Sequence, residues 1–513
     1  MNEEQYRLLC EACDRVLLAN DSTIERVSIK WLHVIREHPV FLTNYVDLFQ
    51  LKKNIWRRLL TYWKAFHDKL RWLRHLAIAL KSNQKDVSEI DQSPADVDVL
   101  FVSHFLNASQ AGQEEDFYFG EIPNQLVAQG YKVAIVLMNH SGQSSKALNH
   151  KWNLCTVERI VLPNHFRVSE LIAIYRRLKL ESLQLEALAR KESFGLLRSV
   201  FKRASQEALS DGTMTTLRMY EQMRYLACKL EPKIIVVTHE GHAWERMAFS
   251  AAKSAVPEVK CIGYQHAALF RLQHAIRRSL TPQYNPDQIL TVGDVSMKQL
   301  KLTPGLEGIP ICIIGSNRSL KSTLVQTEKS LAHKRGSEKN TCLVIPEGIA
   351  SECYLLFEFS MACAQVLPEI QFIWRLHPIL TFESLVSHYP MLKDAPSNIE
   401  FSCNTLEEDI GRSRWALYRG TTAIVQATVA GLKPIYLASP GELTIDPLYE
   451  LEVWRETVVN ILDFANVIDS DADADATHLK SKESKLFAMQ YCKNFFKPID
   501  LHIDLNFFSR RQE

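Results

Sequence analysis

Two apolar runs of the sequence end in side chains that could perform acid–base chemistry. KIIVVTH leads into Glu240, and VKCIGYQ leads into His266. Partial desolvation at a strand end raises the pKa of a carboxylate toward that of a general base, so we predict that Glu240 is the catalytic base. Glu245 is predicted to complement the N-terminus of the next helix, and helix capping is also the alternative for Glu240. His266 could hold an acceptor or a donor phosphate, with a buried, hydrogen-bonded histidine as the alternative.

A third catalytic candidate lies in an acidic loop. The segment EEDFYFGEIP places Asp116 before a predicted helix, where it could contact an acceptor or serve as the base. Acidic loops are usually solvated, which is the alternative. The sequence has no HExxH motif and no DxD motif after a strand, so we predict no metal site and a metal-independent reaction. It also lacks GxxxxGK[ST], GxGxxG and GxSxG, which argues against nucleoside triphosphatases, Rossmann dehydrogenases and α/β-hydrolases.

Two further runs carry polar residues suited to a nucleotide phosphate. QFIWR is followed by His377, and an arginine fork beside an imidazole donor suits phosphate oxygens. RWALY is followed by Gly420 and a threonine pair, where the free N–H groups of a helix N-terminus would form an anion site. A strand-end histidine and an ordinary threonine N-cap are the alternatives. The predicted nucleotide-binding residues are Arg375, His377, Pro378, Gly420, Thr421, Thr422 and, after the run TCLVIP, Glu347.

Parallel sheets are the elements that would position these residues. Short β-branched runs recur between residues 97 and 316 and again between 341 and 439, with helical patterns between them. Continuous apolar strands that alternate with helices indicate a parallel sheet covered on both faces. We therefore predict an α/β fold of two tandem doubly wound, Rossmann-like domains that face each other across a cleft. The ligand is expected at the carboxyl ends of the strands.

The same patterns predict the domain boundaries. Residues 1–90 form a helical N-terminal region, 96–320 a first, acceptor domain, 338–465 a second, donor domain, and 478–513 a helical segment that packs back. The acidic run DSDADADAT before that segment is predicted to be a solvated linker. Cys10 and Cys13 form a CxxC without a second pair at metal-ligand spacing, so we expect two residues on one helix.

Composition limits the partners. The 513 residues are 46% hydrophobic and 23% charged, as in a globular protein. The formal net charge of +1 gives no overall attraction to nucleic acid, and no nucleic-acid partner is predicted. The first residues are acidic where a signal peptide is basic, and no apolar run approaches about 18 residues, so a cytoplasmic location is expected.

A basic aromatic segment spans residues 52–81. It has nine Lys or Arg residues, one acidic residue, and three interleaved tryptophans. This pattern favours contact with the anionic headgroups of an inner membrane. Packing of the aromatic side chains on the first domain, with the charges in water, is the alternative.

The order of these motifs resembles a known family. HEG after one strand, YQH after the next, then RLHP, RGTTA and AGLKPIYL resemble the bacterial surface carbohydrate biosynthesis glycosyltransferases, a group similar to Kdo transferases and polysialyltransferases. The resemblance covers roughly residues 97–450 and implies a GT-B fold with a CMP-activated acidic sugar as donor. It implies Glu240 as the base, with His377, Thr421 and Thr422 on the cytidine nucleotide phosphate. The chain departs from the family pattern at His239, which replaces an acidic residue, and at Thr-Thr, which replaces a serine pair.

The implied activity is transfer of a sugar to a bacterial surface glycan such as capsule, O-antigen or lipopolysaccharide, on a lipid-linked or saccharide acceptor. No cofactor is expected besides the nucleotide-sugar co-substrate. The RxHP element also resembles CDP-glycerol glycerophosphotransferases, which would transfer phosphoglycerol. The alternative from another class is a non-catalytic, membrane-associated scaffold of polysaccharide assembly, for which His239 is the one hint.

Overall fold

The computed structural model describes residues 1–49, 96–163, 167–317, 340–474 and 478–499, together with residues 63, 70, 73, 76 and 77. Apart from those five single residues, the basic aromatic segment 52–81 lies outside the described residues. Within the described part of the chain, no helix is both long enough and apolar enough to cross a membrane.

The strands form two fully parallel sheets. In the first, the spatial order is β3-β2-β1-β4-β5-β6-β7, and in the second it is β10-β9-β8-β11-β12-β13. The first sheet consists of β1 Val99–Phe105, β2 Val133–Asn139, β3 Glu158–Val161, β4 Ile234–Thr238, β5 Lys260–Gln265, β6 Gln288–Thr291 and β7 Ile311–Ile313. The second consists of β8 Thr341–Ile345, β9 Gln371–Trp374, β10 Ile399–Phe401, β11 Trp415–Tyr418, β12 Lys433–Leu437 and β13 Glu456–Val458.

Both sheets reverse their strand order once. The chain moves outward from β1 to β3, returns to place β4 on the other side of β1, and does the same around β8 and β11. These are doubly wound, Rossmann-like domains, and two of them in tandem confirm the predicted GT-B fold class. Such a reversal opens a crevice at the carboxyl ends of the two strands that flank it. The crevices of this protein therefore lie after β1 and β4, and after β8 and β11.

Helices cover both sheets. Helix α8 (Asp211–Leu230) contacts α9 (Ala243–Ala255), which packs on the first sheet, and α11 (Ala350–Val366) contacts α15 (Ile461–Ala474) beside the second sheet. The helices are α1 Glu3–Leu17, α2 Ile24–Val27, α3 Pro39–Leu42, α4 Ile122–Ala128, α5 Ser145–Asn149, α6 Val168–Lys191, α7 Leu196–Glu207, α8 Asp211–Leu230, α9 Ala243–Ala255, α10 Asp294–Lys301, α11 Ala350–Val366, α12 Phe382–His388, α13 Leu406–Gly411, α14 Ala423–Val429, α15 Ile461–Ala474 and α16 His478–Lys493.

Residues 1–49 share a hydrophobic core with the first domain. Helix α1 begins at a capping box, in which the Asn2 side chain accepts from the Gln5 N–H and the Gln5 side chain accepts from the Asn2 N–H. Its buried face includes Leu9, Cys10 and Cys13, so the CxxC consists of two buried, free thiols on one helix. This face belongs to the same apolar cluster as the helices of the first sheet. The N-terminal region is therefore held in a fixed position against that sheet.

The C-terminal segment joins the two domains. Helix α16 packs on α14 of the second domain. The chain then crosses to the first sheet, where Lys497 donates its N–H to Val292 O and accepts from the Ser316 N–H, both at 2.8 Å. The Lys497 ammonium also pairs with Asp294 at 2.8 Å. Backbone hydrogen bonds of this kind fix the position of the segment more strictly than apolar contact would.

The described part of the acidic run before α16, residues 469–474, is helical and not a linker. Its residues from Asp469 to Ala474 form the last turns of α15. Asp471 is buried and accepts hydrogen bonds from Arg414 and from the Trp415 indole N–H, both at 2.9 Å. Charge density alone predicted solvation, but a cation and an indole donor at the start of β11 supply the partners that allow this carboxylate to be buried.

The C-terminal segment passes so close to Gly293 that a side chain at this position would collide with it. At Gly293 a Cβ would lie 2.3 Å from the carbonyl oxygen of Phe495, so Gly293→Ala must push the segment away. We expect a loss of about 1–3 kcal/mol of stability, because overpacking against backbone cannot relax easily. Hydrogen exchange at residues 494–499 should rise as the segment loosens. Gly411→Ala is the control, since nothing lies within 4 Å of its added Cβ; equal effects of the two substitutions would contradict this account.

Candidate functional site

A buried carboxylate organises the turn between β4 and α9. Glu245 Oε2 accepts the backbone N–H groups of Glu240, Gly241 and His242 at 2.9, 2.7 and 2.9 Å. It also accepts from His239 Nδ1 at 3.0 Å. Gly241 has a φ of +88°, and a Cβ there would lie 2.2 Å from the carbonyl carbon of Ala275, so only glycine fits. The predicted role of Glu245 at the helix N-terminus is what the geometry shows, and it fixes the residues on either side.

Glu240 is held at this turn with its carboxylate partly exposed. Its side chain is 20% exposed and Oε2 lies 3.3 Å from His242 Nε2. Burial alone would raise the pKa of Glu240, but the hydrogen bond from His242 and the charges of His266 and Arg36 hold the pKa well below its ordinary value. The expected upward shift at a strand end is therefore wrong, because the hydrogen bond and the neighbouring charges together outweigh desolvation. Glu240 is an ionised carboxylate at neutral pH.

Histidines line the carboxyl edge of the first sheet around Glu240. His104 Nδ1 lies 2.9 Å from His140 Nε2, and His104 Nε2 lies 3.4 Å from the Thr238 hydroxyl. Burial, then the neighbouring histidine charges, lowers the pKa of His104 to about 3, so its imidazole is neutral at pH 7. Tyr118 connects this pair to the predicted site, with ring centroids 5.5 Å from His104 and 4.7 Å from His266. We call this group the histidine edge: His104, His140, His242 and His266.

Sequence reasoning missed three members of the histidine edge, although a signal was available. VSH, MNH and HEGH each place a histidine at or just after a predicted strand. His104 is the sixth residue of β1, and His140 directly follows β2. Because neighbouring parallel strands end at the same edge, these residues were bound to meet.

Asp116 lies in the core of the loop after β1 and not on its surface. Its Oδ1 accepts from the Ser103 hydroxyl at 3.0 Å and from the N–H groups of Tyr118 and Phe119 at 2.9 Å. Burial raises the pKa of Asp116. The carboxylate closes a turn, which does not support the prediction that it contacts an acceptor or serves as the base. It acts on the site through Tyr118, whose ring the turn positions.

In the second domain, the ends of three neighbouring strands converge. Glu347 follows β8, and a Cβ added to Gly420, after β11, would lie 2.9 Å from Glu347 Oε1. His377, after β9, lies beside Gly348, whose added Cβ would be 3.0 Å from His377 Nδ1. The Thr421 hydroxyl accepts from the Ala423 N–H at 3.3 Å. We call Glu347, His377, Gly420 and Thr421 the second-domain corner; it lies at the strand reversal.

Three further predicted nucleotide-binding residues, Arg375, Pro378 and Thr422, flank this corner along the chain. Arg375 Nη1 donates to Asp409 Oδ2 at 2.8 Å and to the Asn404 carbonyl at 2.6 Å, so its charge is paired with a buried carboxylate. Pro378 is exposed, and the Thr422 side chain makes no capping hydrogen bond to α14. The arginine that opens the RGTTA sequence, Arg419, is buried and pairs with Glu352 at 2.7 Å. These interactions favour a supporting role for both arginines.

The N-terminal region contributes a residue that the sequence did not indicate. His38 Nε2 lies 2.5 Å from Glu347 Oε1, and both side chains are buried. The contact spans 309 positions of the chain and joins residues 1–49 to the second-domain corner. In the described part of the chain, His38, Glu347 and Glu352 are also the one group of potential metal-ligating side chains whose ligand atoms lie within 4.8 Å of one another. Since Glu352 is paired with Arg419, we assign the group no metal.

Comparison with known proteins finds solved structures that resemble this chain, all with low sequence identity and low TM-scores. No protein-family model matches the sequence, and no curated protein matches it. The glycotransferase of kitacinnamycin is 10% identical, with 78% of this chain and 96% of that chain covered and a TM-score of 0.43. UDP-GlcNAc 2-epimerase from Neisseria meningitidis, bound to UDP-GlcNAc, is 12% identical, with 77% of this chain and 97% of that chain covered and a TM-score of 0.43. Acinetobacter baumannii MurG is 9% identical, with 77% of this chain and 95% of that chain covered and a TM-score of 0.39. These values carry no argument about function, and the fold follows from the two strand orders.

The turn that carries Glu240 should depend on Glu245. Glu245→Ala leaves several buried N–H groups without an acceptor, so we expect a loss of about 3 kcal/mol or more. Glu245→Gln keeps one acceptor oxygen and should lose less. The control is Glu383→Ala, an exposed acidic residue in the first turn of α12, which should change stability by less than about 0.5 kcal/mol. Chemical denaturation of the three variants measures this, and a Glu245→Ala protein as stable as the control would refute the role.

Proposed function

We propose that this protein is a nucleotide-sugar-dependent glycosyltransferase that transfers a CMP-activated acidic sugar to a bacterial surface glycan. One observation carries the proposal. The crevices at the two strand reversals are both lined by polar side chains. Residues 36–38 lie near both crevices, because the charge of Arg36 acts on Glu240 and His38 contacts Glu347. A donor bound at one crevice and an acceptor at the other would meet between the domains.

The second-domain corner suits the nucleotide. The Glu347 carboxylate only accepts hydrogen bonds, so it matches ribose hydroxyls and would repel phosphate. His377 can donate to the phosphate, and Gly420 leaves room for the Glu347 carboxylate beside the turn. The sequence motifs RLHP and RGTTA support cytidine as the base through their resemblance to CMP-sugar enzymes.

The first-domain edge suits the acceptor. In the proposed reaction the acceptor oxygen attacks the anomeric carbon, and the bond from that carbon to the phosphate oxygen breaks. Its electron pair leaves with CMP, and the acceptor proton passes to Glu240. A carboxylate of low pKa is a weak base, so the proton would be transferred late, when the new bond has acidified the hydroxyl. Most of the rate would then come from stabilising the departing phosphate.

A nucleotide panel tests the donor class. We expect CMP to raise the melting temperature more than UMP, GMP or ADP, since a ligand at 100 times its Kd stabilises the folded state by about 2.7 kcal/mol. Stabilisation by uridine or guanosine nucleotides alone would refute the cytidine assignment. Turnover of CDP-glycerol in place of CMP-sugars would favour glycerophosphotransfer. Nucleotide binding without turnover of either would favour the scaffold.

Two substitutions separate binding from catalysis. His377→Ala should weaken CMP binding about 10- to 150-fold, as expected for a lost charge-assisted hydrogen bond. Glu240→Gln should leave CMP affinity near wild type and reduce turnover by about 10²- to 10⁴-fold, because the amide cannot accept the proton. His388→Ala, an exposed histidine on α12, is the matched control. Equal turnover in Glu240→Gln and wild type would remove Glu240 from the mechanism.

The same assay gives a pH signature. The pKa of Glu240 lies below its ordinary value of 4.5, so activity that needs the ionised form is present above that depressed pKa and is lost only as the pH falls through it. The acid limb of kcat/KM should therefore lie below pH 4.5. His242→Asn removes a hydrogen bond to the carboxylate and should move this limb upward. An acid limb near pH 6.5 would point to a histidine instead.

A further inference from the structure

Arg36, in the N-terminal region, makes cation–π contacts with two aromatic rings. Its guanidinium carbon lies 5.1 Å from the ring centroid of Phe41 and 5.3 Å from that of Phe270. Within the residues that the structure describes, the guanidinium makes no ion pair. Ring faces attract a cation but accept few of its five N–H groups. The arrangement holds the side chain in place and leaves hydrogen-bond donors for a ligand.

Arg36 lies close to residues of both crevices. Two residues later, His38 binds Glu347 beside Gly420, and the Cα atoms of residues 36 and 38 can be at most about 7 Å apart. On the other side, Arg36 acts electrostatically on Glu240. One short segment thus places a cation near both the second-domain corner and the proposed base.

The nearby carboxylates do not account for this arginine. Glu240 is already hydrogen-bonded by His242. Glu37 accepts from the Leu272 N–H at 2.6 Å, and burial raises the pKa of Glu37 to about 7, so a large fraction of it is neutral at pH 7. Arg36 is one of the groups whose charge lowers the pKa of Glu240, together with His242 and His266. A half-buried arginine that keeps unused hydrogen-bond donors is suited to an anionic ligand.

We propose that Arg36 binds an anionic oxygen group of the donor substrate. This inference rests on the proposed function and deepens it, since it makes the N-terminal region part of the substrate site. The ligand chemistry is a phosphate or carboxylate oxygen, which a CMP-linked sugar acid offers on both its nucleotide and its sugar. Arg36 is thus a substrate-binding residue that acts beside the base and takes no proton itself.

Arg36→Met tests this assignment, since methionine keeps an apolar stem between the two rings. Binding of cytidine, CMP and a CMP-linked sugar acid is measured by calorimetry in wild type and variant. If Arg36 binds the phosphate, CMP binding should weaken at least tenfold with cytidine unchanged. If it binds the sugar carboxylate, CMP should be unchanged and the sugar acid should lose at least tenfold. Unchanged binding of both ligands would overturn the proposal.

Two further variants control for unspecific effects of the substitution and for loss of folding. Arg271→Met is the matched control, an arginine next to Phe270 that pairs with Glu3 at the surface, and it should bind all three ligands as wild type does. Arg36→Lys keeps the charge without the fork and should lose affinity by a smaller factor. If Arg36→Met does not fold, the comparison of Arg36→Lys with wild type decides, and equal affinity would overturn the proposal.

A second probe separates this inference from the proposed function. Wild type that binds no cytidine nucleotide, but is stabilised by inorganic pyrophosphate in a manner lost in Arg36→Met, would refute the CMP-sugar function and support the anion site. Wild type that binds CMP with the same affinity as Arg36→Met, and the sugar acid likewise, would support the function and refute the site. Wild type that responds to none of these anions would overturn both.

Discussion

The constraint on which this structure depends is the single reversal of strand order in each parallel sheet. Crossover connections between parallel strands are right-handed, so a chain that moves outward from β1 and then outward from β4 covers opposite faces of the sheet. The carboxyl ends of these two strands are left open between the diverging connections. The second sheet repeats the arrangement at β8 and β11. Glu240 follows β4, and Glu347 and Gly420 follow β8 and β11, so these polar groups are positioned by the two openings.

Buried carboxylates hold the loops at both openings, and each is satisfied in a different way. Glu245 accepts hydrogen bonds from backbone N–H groups, and Asp116 accepts them from a hydroxyl and two N–H groups. Glu352 pairs with an arginine. A buried carboxylate without donors would be strongly unfavourable, so these contacts fix the loop conformations as firmly as apolar packing would. The polar residues that remain partly exposed, Glu240 and His377, are carried on loops made rigid in this way. Rigid support of exposed polar groups is what a binding or catalytic site requires.

The two domains are tied together at points far apart in sequence. The N-terminal region packs in the core of the first domain and touches the second through His38 and Glu347. The C-terminal segment starts on α14 and ends on the backbone of Val292 and Ser316. Both ties pass the ends of the strands and both involve polar contacts that can break and re-form. Any relative motion of the domains must therefore act on the histidine-carboxylate pair at the same time as on the cleft.

Local patterns in the sequence were enough to predict the two sheets and the places where chemistry could occur. Among the described residues, the β-branched runs predicted every strand except β13, a three-residue edge strand without an apolar run. Strand periodicity is local, so one chain segment suffices to show it. The pairing of Arg375 with Asp409, the burial of Asp116 and Asp471, and the low pKa of Glu240 came only from tertiary structure. So did the arrival of Arg36 and His38, from a region without recognisable motifs. Burial and charge pairing join residues hundreds of positions apart, and no local pattern encodes which partner a side chain will meet.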